Sequence, residues 1–175
     1  MQSSNRCPIS PDWDMLTMGH VAVLTPYGGT AMAYTVKQVD VWAADIQNKP
    51  GMLARVLEAL TIAGAQLEFM IARKATDRTS RVFVAPLTTA KQKKAATDVG
   101  LVKAAGLHAV RIEGPDRAGL GAEITRAVAA KGINLRGASA AAVGKKALFY
   151  LAVSSAADQK AAIAAVKRAL GRSGR

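Results

Sequence analysis

The sequence predicts an α+β fold in which two successive segments each form an antiparallel sheet with helices on one face. Three observations predict it: an internal repeat, the order of hydrophobic periodicities within each copy, and glycine, proline and polar punctuation at matching places. Moved against itself by 68 positions, the chain brings Asn48-Lys-Pro-Gly-Met onto Asp116-Arg-Ala-Gly-Leu. The same offset sets Val56 on Ile124, Leu60 on Val128, Gly64 on Gly132, Gln66 on Asn134 and Leu67 on Leu135. Val82-Phe83 meets Leu148-Phe149 at an offset of 66, so the second hairpin is two residues shorter. A register kept across a strand, a turn, a helix and a hairpin fixes the architecture as repeated.

Each copy reads strand, helix, strand, strand, helix. In the first, Val39–Asp45 opens with alternation at period two, as a half-buried strand does. Asn48 and Pro50 mark a helix start, because asparagine can accept from free backbone N–H groups and proline suits the first turn. Leu53, Val56, Leu57 and Leu60 then share one face, and Gly64 supplies a left-handed stop. Leu67–Lys74 and Arg81–Leu87 form hairpin strands about a turn at Thr76–Thr79, and Thr88 opens a lysine-rich helix reaching about Val99.

The second copy follows the same logic. Leu107–Glu113 is its first strand, and Asp116 stands near the start of a helix with Leu120, Ile124, Ala127 and Val128 on the apolar face. Gly132 ends that helix, Ile133–Val143 and Lys146–Val153 are strands, and Ser155-Ala-Ala-Asp158 is a capping-box pattern. Ile163, Val166 and Leu170 form the buried stripe of the last helix. A fourth strand would close each sheet. Leu101–Ala105 serves in the first copy, whereas Gly171–Arg175 is too short and polar to serve in the second. Units of this size leave open strand edges, so the two sheets are expected to join edge to edge.

At 175 residues and 50% hydrophobic, the chain can bury two small cores. Its single cysteine, Cys7, excludes an internal disulfide framework and a cysteine-rich zinc cage, and His20 and His108 lack metal-ligand spacing. No metal or cofactor is expected. Apolar runs fall short of the ~18–20 residues that span a bilayer, so a cytoplasmic location with no membrane partner is expected. The formal charge of +12 raises the question of a polyanion partner. Residues 1–37 are neutral, 38–106 carry ten basic and six acidic groups, and 107–175 carry twelve and four. That dispersion describes a solvated basic surface better than a nucleic-acid face.

The strand followed by Asn48-Lys-Pro-Gly-Met-Leu53 and an amphipathic helix ending Ala63-Gly-Ala resembles the ACT-domain signature. Gly114-Pro-Asp-Arg-Ala-Gly-Leu120 with Lys131-Gly-Ile-Asn134 resembles a second copy, so the likeness spans about residues 38–170. It implies two ferredoxin-like βαββαβ repeats and a non-catalytic protein that senses a small molecule, an amino acid in this family, commonly as a homodimer. The positions it implies for ligand contact are Asn48, Gly51, Met52 and Gln66 in the first copy and Asp116, Gly119, Leu120 and Asn134 in the second. Ala118 stands where the family has proline, and the charged Asp116 where the first copy has an amide. The first turn of a helix exposes N–H groups at the positive end of its dipole, which independently suits a carboxylate.

Rival chemistries lack their residues. Gly114–Gly119 lies where a phosphate loop would, but Leu120 and Gly121 replace the lysine and hydroxyl residue that such a loop needs. His108 has no nucleophile beside it in a strained turn, no paired carboxylates stand out, and no catalytic residue is assigned. RNA binding is the alternative reading, through Arg81-Val-Phe-Val84 and Ala147-Leu-Phe-Tyr150, although aromatics total only 5%, few for a stacking platform. A purely dimerising module is a third. The expected organisation is an N-terminal extension at 1–36, poorly ordered, with Met32 as an alternative start or His20–Thr25 as an extra strand. Domains at 37–106 and 107–175 follow it.

Overall fold

The computed structural model describes residues 34–172. Its order is β1 (Thr35–Val39), β2 (Trp42–Gln47), α1 (Met52–Ile62), β3 (Phe69–Lys74), β4 (Thr79–Ala85), α2 (Ala90–Asp98), β5 (Val102–Lys103), β6 (His108–Pro115), α3 (Leu120–Ala129), β7 (Gly137–Val143), β8 (Lys146–Val153) and α4 (Ala156–Arg172). Both copies therefore fold as strand, helix, hairpin, helix. Cys7, His20–Thr25 and Met32 lie outside the described residues.

Two four-stranded antiparallel sheets result, ordered β3-β4-β2-β5 and β7-β8-β6-β1. In the first lobe, Ala44, Ile46, Val82 and Val84 meet Val56 and Leu60 of α1 and Ala96 of α2. In the second, Val110, Ile112 and Leu151 meet Leu120, Ile124 and Val128 of α3 and Ala162, Val166 and Leu170 of α4. Each pattern is the antiparallel layer with helices on one face that the repeat predicts, in ferredoxin-like topology. Among the described residues no helix is long and apolar enough to cross a membrane.

The strand that closes the second sheet comes from the other end of the chain. β1 pairs antiparallel with β6, Thr35 opposite Glu113 and Val39 opposite Ala109, and Val36 is buried in the second lobe's core. The run Val39–Asp45 is thus two strands in two sheets, broken at Asp40-Val41, so the first lobe is inserted between β1 and β6. β5 is the corresponding closing strand of the first lobe, pairing Trp42 with Lys103 and Ala43 with Val102.

The lobes do not join edge to edge as expected. β1 and β5 already occupy the edges beside β6 and β2, whereas the helix-free faces carry apolar side chains that need covering. Val41, Ala85, Ala109 and Tyr150 form a third buried cluster there, with Phe69 and Phe83 packed against it. Phe69 stacks on Tyr150 with ring centroids 4.5 Å apart and planes at 27°.

Helix ends explain finer detail. Thr89 caps α2 in a reciprocal capping box with Gln92, and Gln92 Nε2 also donates to the Gly64 carbonyl at 2.9 Å, tying α2 to the end of α1. Ser155 Oγ accepts from the Asp158 amide at 3.0 Å, as its pattern predicts.

Candidate functional site

The two turns between first strand and first helix are built alike. The amide of Asn48 donates to Arg78 O at 2.8 Å and that of Asp116 donates to Lys145 O at 2.9 Å, so each turn is fastened to the tip of its own hairpin. Neither Asn48 nor Asp116 caps a helix. The N-cap residues are Gly51 and Gly119, at φ of 83° and 79°, and neither α1 nor α3 receives a side-chain cap. This corrects the capping expected of Asn48. The chain passes through a left-handed residue directly before each helix, which glycine adopts without steric cost, and the polar residue sits three positions too early to reach the first-turn amides. A Cβ at either glycine would meet nothing within 4 Å, so the backbone angle, not crowding, calls for glycine.

The surroundings of the two turns differ. Asn48 is exposed, with Nδ2 donating to Asp77 O at 3.3 Å and Oδ1 accepting from Ser80 Oγ at 3.1 Å. An amide has two donor hydrogens and two acceptor lone pairs, so one of each remains. No acidic residue lies in the first turn of α1. At the second turn, Arg117 pairs with Glu123, which stands in the first turn of α3. Tyr34 Oη donates to Pro115 O at 2.9 Å, and its ring lies over Gly114, where a Cβ would come within 2.2 Å of Tyr34 Cδ1. The second turn therefore carries its own anion and an aromatic cover, while the first is open. Met52 is half-buried and Leu120 fully buried; Gln66 and Asn134 are exposed after their helices.

Between the lobes lies a polar network that the sequence did not disclose. Arg111, its side chain 8% exposed, binds Glu68 of the first lobe through Nε and Glu113 through Nη2 at 2.8 Å. Tyr150 Oη reaches Glu68 at 3.2 Å. Burial pulls the Arg111 guanidinium down, but its hydrogen bonds to Glu113 and Glu68 outweigh that and hold it raised. The hydrogen bond from Arg111 holds Glu113 below the usual carboxylate range. Burial, with the Glu68 charge beside it, pushes the Tyr150 hydroxyl up to about 12.

Phe83 and Tyr150, the rings nominated for base stacking, face the seam between the lobes, and Phe149 packs into the second lobe's helix-side core. None is displayed on an open sheet face. Trp42 packs against the first lobe's core, and among the described residues no cluster of histidine, cysteine, aspartate and glutamate could hold a metal ion.

The model of the ACT domain family matches residues 108–171. This segment is similar to ACT domains. Solved structures share the wider fold: a Bacteroides thetaiotaomicron protein superposes with a TM-score of 0.65 at 18% identity, over 76% of this chain and 89% of that one. The ligand-free regulatory subunit of aspartate kinase from Thermus thermophilus matches at TM-score 0.57 and 20% identity, over 79% of this chain and 98% of its own. Aspartate kinase from Synechocystis matches at 0.54 and 19%, the likeness taking in 81% of this chain but 27% of the kinase. No protein of curated function matches the chain by sequence. These likenesses show the fold. The first lobe, outside the matched segment, has the same element order as that segment, with its glycine-capped helix in the corresponding position.

Proposed function

We propose that the chain is a non-catalytic regulatory protein of two ACT-type lobes that binds an amino acid at the turn leading into α1. The observation that carries this reading is the contrast between the two turns. Both present a helix start without a side-chain cap, but only the α3 turn has an acidic residue in its first turn and Tyr34 across it.

An amino acid's carboxylate would take the first-turn amides of Leu53 and Ala54, where the dipole contributes about 0.3–1 kcal/mol when exposed and more when partly buried. The spare donor and acceptor of Asn48 would serve either end of the zwitterion, with Gln66 or a residue from a neighbouring chain closing the pocket. Because β3 and β7 stand at the ends of their sheets, with Met70 and Val143 exposed, a homodimer covering such edges is part of the proposal. The domain arrangement is likewise an inserted first lobe and a second lobe completed by β1.

A thermal-shift screen of the twenty amino acids tests the reading, since a ligand that binds only the folded chain raises its melting temperature by mass action. At least one amino acid should raise it, and calorimetry should then return about one site per chain. A screen with no hit at millimolar concentration would reject the proposal. Sedimentation of a monomer at high micromolar concentration would reject the dimer.

A further inference from the structure

The helix-free faces of the two sheets enclose, beside their buried contact, a cavity of about 350 Å³. That volume is within the ~300–1,000 Å³ range of small-molecule sites. Phe69, Ile71, Phe83, Leu107 and Tyr150 give it apolar walls, and Arg73, Lys74, Arg81 and Arg136 bring cationic side chains to it. An adjoining hollow of about 310 Å³ shares Arg81, Phe83, Leu107 and Arg136 with it.

The charges are unbalanced in a specific way. Arg73 and Arg81 lie directly opposite each other on β3 and β4, a like-charge pairing that weakens a sheet. Asp45 binds Arg81, with Nε to Oδ1 at 2.7 Å, and Asp77 binds Lys74 at 2.6 Å. Arg73 and Arg136 have no carboxylate partner among the described residues. Arg136 is nonetheless oriented, its Nη1 donating to Gly106 O at 2.6 Å. One uncompensated guanidinium thus comes from each lobe to a single apolar-walled cavity.

We propose that this cleft binds a small organic anion, a carboxylate carrying an aromatic or branched aliphatic body. The body lies on Phe83 and Ile71, and the carboxylate meets Arg73 and Arg136, whose planar forks suit it. A zwitterionic amino acid fits poorly, because its ammonium group would enter a site already rich in cations. The site is separate from the α1 turn and does not rest on the reading of that turn.

Phenylacetate is a suitable probe, compared with neutral phenylacetamide, zwitterionic phenylalanine and bodiless acetate in NMR titrations of the full chain. Phenylacetate should shift the resonances of Ile71, Leu107 and Ala138, with the amide and phenylalanine at least tenfold weaker there and acetate silent at the same concentration. Arg73→Ala and Arg136→Ala should each weaken phenylacetate at least fivefold, with partial recovery in Arg73→Lys. Both arginines are exposed, so these variants should fold. Asn48→Ala should leave phenylacetate binding intact, which separates this site from the α1 turn. Equal affinity for phenylacetate and phenylacetamide, no shifts at millimolar phenylacetate, or full affinity in the Arg73→Ala/Arg136→Ala double variant would overturn the proposal.

Discussion

Val39 pairs with Ala109 across an antiparallel ladder, although the whole first lobe lies between them in sequence. The strand that enters the first lobe is therefore structurally part of the second. Val36, 5% exposed on that strand, belongs to the core formed by α3 and α4. Removing its two methyl groups should cost about 2 kcal/mol, from ~0.8 per buried carbon plus the cavity left behind. The distinctive outcome of Val36→Ala is its location. Amide exchange should accelerate in β6, at Val110 and Ile112, more than in the neighbouring β2, at Ala44 and Ile46. The reverse pattern would contradict the closing role of β1.

Arg111 holds the lobes together by charge where Phe69 and Tyr150 hold them by area. Its replacement by alanine leaves Glu68 and Glu113 without their shared partner. The carboxylates left behind are 40% and 37% exposed, so the expected loss is that of the guanidinium's charged hydrogen bonds, about 1.5–3 kcal/mol. Urea unfolding of Arg111→Ala measures it. Arg111→Met, which keeps the packing of the stem, should lose nearly as much, because both carboxylates lose the same hydrogen bonds. A loss under about 1 kcal/mol in both variants would mean that the network is incidental.

The same network makes two opposite pH dependences. Glu113 is held below its ordinary value of 4.5, so its contribution is complete above that pH and is lost as pH falls through the lowered native value. Tyr150 is raised from 10.0 to about 12, so its contribution is complete below pH 10 and is lost as pH rises toward 12. Spectrophotometric titration should find a tyrosine ionising near 12 in the native protein, absent from Tyr150→Phe and normal in urea. Ionisation of every native tyrosine near 10 would contradict the burial of this hydroxyl.

Local patterns carried much of this structure, and long-range pairing carried the rest. α1 and α3, both hairpins and the C-terminal stops at Gly64 and Gly132 follow from spacing and punctuation within about thirty residues, whereas the glycine N-caps of α1 and α3 do not. The division of Val39–Asp45 does not, because Val39 and Val41 continue one alternation, and the partner that separates them is Ala109. Joining the sheets through their faces was partly legible: Phe69, Ile71, Phe83 and Ala85 share one side of the hairpin, too apolar for solvent. Arg73 and Arg81 continue that same side, and their opposition was the available signal for the cleft. Arg111 was not legible as an inter-lobe group, since nothing near it in sequence points to Glu68.

The turn residues give the sharpest test of the proposed amino-acid site. Asp116 is exposed and caps nothing, so Asp116→Ala should change stability by no more than about 0.5 kcal/mol and leave first-lobe binding unaltered. Asn48→Ala removes contacts to the hairpin as well as the spare donor and acceptor. Loss of one charge-assisted hydrogen bond costs about 1.5–3 kcal/mol, which is a tenfold or greater weakening of amino-acid affinity. Gly51→Ala separates conformation from contact. At φ of 83° a Cβ costs about 1–2 kcal/mol, although open space surrounds it, so the variant should be destabilised and should bind less tightly as α1 frays. Gly119→Ala should be destabilised to the same extent at φ of 79° without affecting the ligand. Calorimetric titration of the four variants with the amino acid found in the screen distinguishes these outcomes. Equal loss of affinity in Gly51→Ala and Gly119→Ala, with Asn48→Ala unchanged, would remove the site from the α1 turn and attribute the ligand's effect to the stability of the pair of lobes.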